Sequence, residues 1–506
     1  MRNSNLGRLI SNYVTRIWGL FSVFLFIPIY IKYLGVESYA IIGFYALMLG
    51  IVSFADAGMS SAITKEFSKQ SAINEKYSIL KIIEKKYILV CVAISLFVLF
   101  FSDVIAKHWL KSDNINIIDL ANYVKLIGIG VSLQILSSLY FGGLFGLNKQ
   151  FEANSIQFLW SLSKSALVVP LLILIKPSLT IFLFWQVFCN LVYILILRFY
   201  LMKIIILEAK GSILTLIINK LPKDIIQYIG GMTIIAVIAS INSQIDKIMA
   251  STYLSLKVFG YYSIASNLAQ IPVVMATPLA LSVFPLFSKY SSTSCENKTN
   301  LVYKKSSFVM HLVLIPVFFS LYIYSPELII LWVGNVIDTV WFDKIIFVMR
   351  LLLIGSFFLG LQFLPYYFLL SKGKTSYTIY QGLAQILVGV PLLFLFAKEF
   401  GILGLGWVWV IINLGALLFL NIIVFKKFLN NLCFTDYILK TFFNVLLING
   451  LVFSLAIFIN HYIKFYFLIV LIFSVVMSVG LTLVLDNRLN RRSIFNVNSI
   501  VDFANE

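Results

Sequence analysis

The sequence predicts an all-α polytopic membrane protein of about fourteen transmembrane helices. Of its 506 residues 60% are hydrophobic and only 12% are charged, about half the charged share of an ordinary soluble domain. The mean hydropathy of +0.97 excludes a soluble globular fold, a disordered chain and a fibrous one. Apolar runs of about 20 residues, the length that crosses a bilayer, recur along the whole chain with short polar junctions between them.

In chain order the spans are read at 9–33, 39–64, 87–106, 120–146, 153–175, 179–201, 225–253, 258–289, 307–333, 345–370, 376–397, 402–425, 437–460 and 465–485. Such short junctions make neighbouring helices antiparallel. The first span follows a basic start (Arg2, Arg8, Arg16) without a small-residue cleavage site after it, so it is expected to stay as a signal anchor. Pro28, Pro170, Pro272, Pro278, Pro285, Pro316, Pro365 and Pro391 fall within spans, where proline kinks a helix and frees carbonyls. In the fourth span Gly142-x-x-x-Gly146 is a small-residue face suited to close helix packing.

The net charge is +18. The bases sit in short loops rather than in a domain that could grip a nucleic acid, so membrane orientation is the better explanation of them. Alternate sides of the bilayer hold 25 and 8 Lys/Arg, and the richer side, with both termini, is expected to be cytoplasmic. No loop on the poorer side is long enough for a catalytic or receptor domain. The four cysteines are scattered, without a Cys-x-x-Cys, which argues against a disulfide framework or a metal site.

An internal repeat organises the chain. Tyr33-Leu34 recurs as Tyr253-Leu254 and Phe67-Ser68-Lys69 as Phe287-Ser288-Lys289, 220 residues on, and Val169-Pro170-Leu171-Leu172 as Val390-Pro391-Leu392-Leu393, 221 on. The repeat unit is six helices. The expected division is an N-lobe at 1–203, a cytoplasmic linker at 204–224, a C-lobe at 225–428, and two further helices with a cytoplasmic tail at 429–506. An even number of helices gives the two lobes the same orientation, and transporters commonly place their substrate site between such halves.

Ionisable residues inside spans are costly and mark function or pairing. Lys164 lies near the centre of the fifth span, too deep to snorkel. Gln157, Trp160 and Ser161 share its helical face. Arg16 lies two turns into the first span, with Asn12 beside it. Asp246 and Lys247 sit in a polar run of the seventh span, Asn267 and Gln270 on a polar face of the eighth, and Arg350 in the tenth. Each also has a structural reading, as an inter-helix pair or an interfacial residue; for Lys125 and Lys440, near span ends, that reading leads. Asp56 and Asp246 are the carboxylates that a coupling ion would use, although for Asp56 the reading as a helix-end residue leads. Deep bases outnumber deep acids, so a cavity lined by them is cationic and draws anions. Guanidinium and ammonium groups suit phosphate in particular, and nearby aromatics and amides suit sugars.

Signatures of hydrolases, metalloproteases, P-loop enzymes and dinucleotide-binding folds are missing, and His108, His311 and His461 are isolated. No enzyme activity and no cofactor is expected, and transport must draw on an ion gradient or run passively.

Several segments carry a resemblance. Asn242-Ser243-Gln244-Ile245-Asp246-Lys247 resembles the N-x-x-x-D-K/R segment of polysaccharide flippases. Gly260-Tyr261-Tyr262-Ser263-Ile264-Ala265 and Val283-Phe284-Pro285-Leu286-Phe287-Ser288 are similar to family segments. So are Tyr33-Leu34-Gly35-Val36-Glu37-Ser38-Tyr39-Ala40 and Gly401-Ile402-Leu403-Gly404-Leu405-Gly406-Trp407. The family is the O-antigen and lipid-linked oligosaccharide flippase group of the multidrug/oligosaccharidyl-lipid/polysaccharide (MOP) superfamily. The resemblance implies two six-helix lobes around a V-shaped cavity that opens to either side in turn. The implied cargo is an undecaprenyl-diphosphate-linked oligosaccharide, moved from the cytoplasmic to the periplasmic leaflet of a bacterial inner membrane. It also implies H+ or Na+ as a coupling ion and other polysaccharide-assembly proteins as partners. Three alternatives stand beside it. A drug antiporter of the same fold would want deep carboxylates. A flippase for the peptidoglycan lipid precursor shares helix count and cationic lining. A membrane glycan polymerase or ligase would need a large outer loop.

Overall fold

In lipid a backbone must satisfy its own hydrogen bonds, and helices do so within one segment. The computed structural model describes residues 5–69, 72–112, 114–209, 220–292, 296–429, 434–463 and 467–489. Apart from one isolated bridge between Lys111 and Ser255, regular structure among the described residues is helical. The helices are α1 (Asn5–Leu34), α2 (Val36–Val52), α3 (Phe54–Ala57), α4 (Met59–Ser68), α5 (Ile73–Val104), α6 (Ile117–Gly146), α7 (Gln150–Ser165), α8 (Val168–Leu174), α9 (Leu179–Glu208) and α10 (Lys223–Tyr253). They continue as α11 (Leu256–Ala269), α12 (Ile271–Ser292), α13 (Glu296–Ile323), α14 (Ser325–Val333), α15 (Thr339–Ser371), α16 (Thr375–Phe400), α17 (Ile402–Lys427), α18 (Phe434–Tyr437), α19 (Asn444–Ile463) and α20 (Phe467–Leu489). Twelve helical stretches among the described residues are long and apolar enough to span a bilayer, and Phe21–Leu34 and Val36–Val52 are shorter apolar helices. The chain is a multi-pass membrane protein.

Two compact units divide the chain, Met1–Tyr261 and Tyr262–Glu506. In the first, α6 is the central helix. More than half of it is buried, and α2, α4, α5, α7 and α9 pack around it. Its seam with α4 is a backbone contact: a Cβ added at Gly142 would lie 2.8 Å from Ser60 O, and one at Gly146 2.7 Å from Thr64 O. Thr64 Oγ1 donates to Gly142 O at 2.9 Å across the seam. By packing, α10 belongs to this unit. Ser240 Oγ lies 3.1 Å from Ser53 Oγ, and Lys65 Nζ lies 4.4 Å from the ring centre of Tyr228. The sequence repeat, by contrast, groups α10 with 225–428.

The second unit is built on an aromatic core. Phe287, Tyr303, Phe368 and Phe425 come from α12, α13, α15 and α17. Phe368 contacts Phe287 and Tyr303 with ring centres 5.2 and 5.3 Å apart. The segment leading into α19 is pinned to α13. The Tyr437 hydroxyl bonds the Ser307 hydroxyl, and His311 Nδ1–H donates to Thr441 O at 2.9 Å, inside a π-helical stretch at Ile438–Phe443. His311 is thus a buried packing residue.

Proline chemistry accounts for two of the breaks in the spans. Pro170 has no N–H for Ala166 O, and the fifth span divides into α7 and α8 at residues 166–167. Pro326 likewise leaves Tyr322 O without its helical donor, and the ninth span divides into α13 and α14 at Tyr324. Pro272 follows the α11–α12 junction, where Gln270 sits. Pro391, by contrast, lies inside the unbroken α16.

Candidate functional site

The break after α7 fixes the most unusual side chain in the molecule. α7 ends at Ser165, so Lys164 stands in its last turn, where the partial negative charge of a helix C-terminus favours a cation. Its backbone is held by the neighbours. Carbonyls that a continuing helix would have satisfied accept from side chains instead. Trp185 Nε1 donates to Ser163 O at 2.9 Å, Gln186 Nε2 to Lys164 O at 3.1 Å and the Tyr30 hydroxyl to Ser165 O at 2.8 Å.

The ammonium is caged by uncharged groups. Lys164 Nζ donates to Gln134 Oε1 at 2.8 Å and lies 5.0 Å from the ring centres of both Tyr45 and Trp160. These are cation–π distances. The walls of the cage are fastened in turn. The Tyr45 hydroxyl donates to Gln134 Oε1 at 3.3 Å. Asn190, fully buried, donates through Nδ2 to the Tyr45 hydroxyl at 3.0 Å and to Gly130 O at 2.9 Å, and its Oδ1 accepts from Trp160 Nε1 at 3.1 Å. Tyr193 stacks on Trp160 with ring centres 4.6 Å apart. Tyr45 comes from α2, Gln134 from α6, Trp160 and Lys164 from α7, and Asn190 and Tyr193 from α9. All lie within the first unit.

No carboxylate forms an ion pair with Lys164 among the described residues. Of its three N–H donors one is used by Gln134, and the rings offer only their faces. The cage lowers the cost of an intramembrane charge without cancelling it, and two of the donors have no hydrogen-bond partner among the described residues. One turn further along α6 lies a second polar group. The Tyr87 hydroxyl donates to Asp56 Oδ1 and sits 2.9 Å from Ser138 Oγ. Asp56 reaches inward because the second span is interrupted at Ser53 and Gly58.

The other residues singled out in the sequence are spread over the chain. Arg16 and Asn12 lie on α1, but their side chains are outside the described residues; α1 itself meets α7, with Asn154 Nδ2 donating to Ser11 Oγ at 3.1 Å. Gln157 is partly buried two turns before Lys164. Asp246 is buried on α10 and Lys247 partly buried beside it, and neither is among the partners of Lys164. Asn267 and Gln270 are partly buried near the end of α11. Arg350 caps the α13–α14 break. Its Nε donates to Tyr322 O at 3.1 Å, the carbonyl that Pro326 leaves open, and to Ser325 Oγ at 2.9 Å. Its guanidinium lies 5.3 Å from the Tyr322 ring centre. The structure therefore joins Lys164 and Trp160 and adds Tyr45, Gln134 and Asn190. The signal for those three in the sequence was only a polar side chain inside an apolar run.

The comparisons with known proteins agree with this architecture. The family of polysaccharide biosynthesis proteins matches residues 9–291, a segment that contains every residue of the Lys164 cage. A protein of Shigella flexneri described as "Putative O-antigen transporter" is 23% identical over 390 residues, 76% of this chain and 89% of that one. Among solved structures, the lipid II flippase MurJ superposes with a TM-score of 0.71 at 18% identity, covering 95% of this chain and 99% of its own. A multidrug resistance MATE family transporter of the MOP superfamily gives 0.63 at 15% identity, covering 82% and 96%. Relatives so described are transporters rather than enzymes. The chain belongs to the polysaccharide biosynthesis protein family and has the fold of MOP-superfamily transporters.

Proposed function

We propose that the chain is a flippase for a lipid-linked glycan. It moves an undecaprenyl-diphosphate-linked oligosaccharide repeat unit from the cytoplasmic to the periplasmic leaflet of a bacterial inner membrane, with both termini cytoplasmic. The observation that carries this reading is the Lys164 ammonium, deep in a span, ordered by Tyr45, Trp160 and Gln134 yet without a carboxylate partner among the described residues. A phosphate oxygen takes its two remaining N–H groups as charge-assisted hydrogen bonds. Arg16, on the helix that packs against α7, supplies a second base for the diphosphate. Alternating exposure of this site to the two membrane faces carries the head across while the polyprenyl tail stays in lipid. Asp56 and Asp246 are the carboxylates at which a proton or sodium ion couples. The family match and the Shigella flexneri relative support the cargo class.

The test is complementation of a bacterium that lacks its own glycan flippase. Lys164→Ala is expected to abolish surface polysaccharide while the protein level in the membrane stays normal, and Lys164→Arg to keep part of the export. Full polysaccharide with Lys164→Ala overturns the role of the cage. A flippase for lipid II is the second reading, favoured by the whole-chain superposition on MurJ. It predicts rescue of cells depleted of their lipid II flippase, whereas the glycan reading predicts none.

A further inference from the structure

We propose a second anion-binding site on the first unit, for one negatively charged phospholipid of the surrounding bilayer, where α5 and α9 flank α6. It stands independently of the cargo reading. Its base is Glu84, buried with 6% exposure. Glu84 Oε1 accepts from Arg198 Nε at 2.8 Å and from the Tyr140 hydroxyl at 2.7 Å, and Oε2 accepts from Lys81 Nζ at 3.0 Å. One carboxylate thus gathers two cations and leaves a surplus positive charge.

Both cations remain accessible: the side chains of Arg198 and Lys81 are 46% and 29% exposed. Arg198 spends its Nε edge on Glu84 and also lies within hydrogen-bond reach of the Tyr140 hydroxyl; of the five N–H donors of its planar guanidinium, those left over are held in a fixed plane for phosphate oxygens. Anchoring by a buried acid means that little conformational freedom remains to be lost when a ligand arrives. A surface lysine on its own has no such advantage.

The flanking surface suits acyl chains. From Arg198, helical spacing leads along α9 to Leu195, Leu191 and Phe188, which are 56%, 44% and 53% exposed. From Lys81, it leads along α5 to the exposed Ile88 and Val92. The track from Arg198 to Phe188 is about 15 Å long at 1.5 Å per residue, close to half the hydrocarbon thickness of a bilayer. A cationic head position at one end of an apolar track fits a phospholipid with a net negative charge, such as phosphatidylglycerol. Asn190, the buried clamp of the Lys164 cage, is two turns away on α9, about 12 Å along the axis. The two sites therefore lie at different depths.

The experiment is native mass spectrometry of the full chain in detergent, titrated with phosphatidylglycerol or phosphatidylcholine. The wild type is expected to retain phosphatidylglycerol preferentially. Lys81→Gln and Arg198→Gln are each expected to weaken that retention about fivefold, while Lys398→Gln, an exposed lysine at the end of α16, changes nothing. If Arg198→Gln does not fold, Lys81→Gln decides, because it leaves the Arg198–Glu84 pair intact. Equal retention of the two lipids by the wild type, or wild-type affinity in Lys81→Gln, overturns the proposal.

Discussion

The polar interiors of the two units use similar parts to different ends. In each, a helix turns into the next through a left-handed residue. Asn148 has φ 59° and Gly373 has φ 70°, and matching backbone bonds close the two turns (Lys149 N to Leu144 O, Lys374 N to Leu369 O). In each, a buried asparagine on the helix after that hairpin meets the helix before it. Asn190 of α9 bonds Gly130 O of α6, and Asn413 of α17 accepts from Gln362 Nε2 of α15 at 3.3 Å. The difference lies in the helix between. α7 stops at Lys164–Ser165 and presents an ammonium, whereas α16 runs on through Pro391 and presents Gln381 and Gln385. Gln381 Nε2 donates to Gln385 Oε1 at 2.7 Å, so the amides of this cluster, Gln362, Gln381, Gln385 and Asn413, largely bond one another. Amides that close on themselves orient helices, whereas the caged cation keeps spare donors, the feature on which the proposed cargo role rests.

Mutation can break that contrast. The largest effect is expected from Asn190→Leu, which strips partners from Trp160, Tyr45 and Gly130 O. It should cost about 3 kcal/mol or more of stability, measured by thermal unfolding in detergent, and remove export with it. Gln134→Leu leaves the aromatic walls in place but takes away the acceptor of Lys164. Glycan export should fall about tenfold with normal membrane levels, and a variant that exports at wild-type rate would show that Gln134 does not orient the ammonium. Asn413→Leu is expected to be mildest. It should lower stability by about 1 kcal/mol while surface polysaccharide stays normal; loss of export there would mean that the neutral cluster also handles cargo.

How much of this was legible in the sequence follows from what stands out against an apolar background. The spans did, because bilayer thickness fixes their length. Lys164 and Arg350 did, because a charge in an apolar run is rare, but their different employment did not. Whether a base caps a carbonyl, as Arg350 does, or sits among rings and an amide, as Lys164 does, depends on what the neighbouring helices bring to it, and Arg350 meets the carbonyl left by Pro326 only in the fold. Pro170 announced a kink, yet not that Tyr30, Trp185 and Gln186 would hold the freed carbonyls. Tyr45, Gln134 and Asn190 are single neutral residues in three separate spans. Nothing local distinguishes them from ordinary packing, and only tertiary proximity makes them one cage. The interruption of the second span at Ser53 and Gly58 was missed for a similar reason. It is stabilised from outside by α10, where a Cβ at Gly58 would lie 2.7 Å from Thr233 Oγ1.

The glycine seam between α4 and α6 has a mechanical consequence. With no side chain to act as a cushion at Gly142 or Gly146, the two helices are ribs of a single plate, and Gln134 is mounted on that plate two turns from Gly142, about 12 Å along the axis. A methyl group inserted at Gly142 would act as a wedge with leverage, tilting the carbonyl oxygen of Gln134 away from the nitrogen it faces. Steric tolerance at a site of close backbone contact and electrostatic tuning of a distant ammonium are, in this molecule, one and the same constraint.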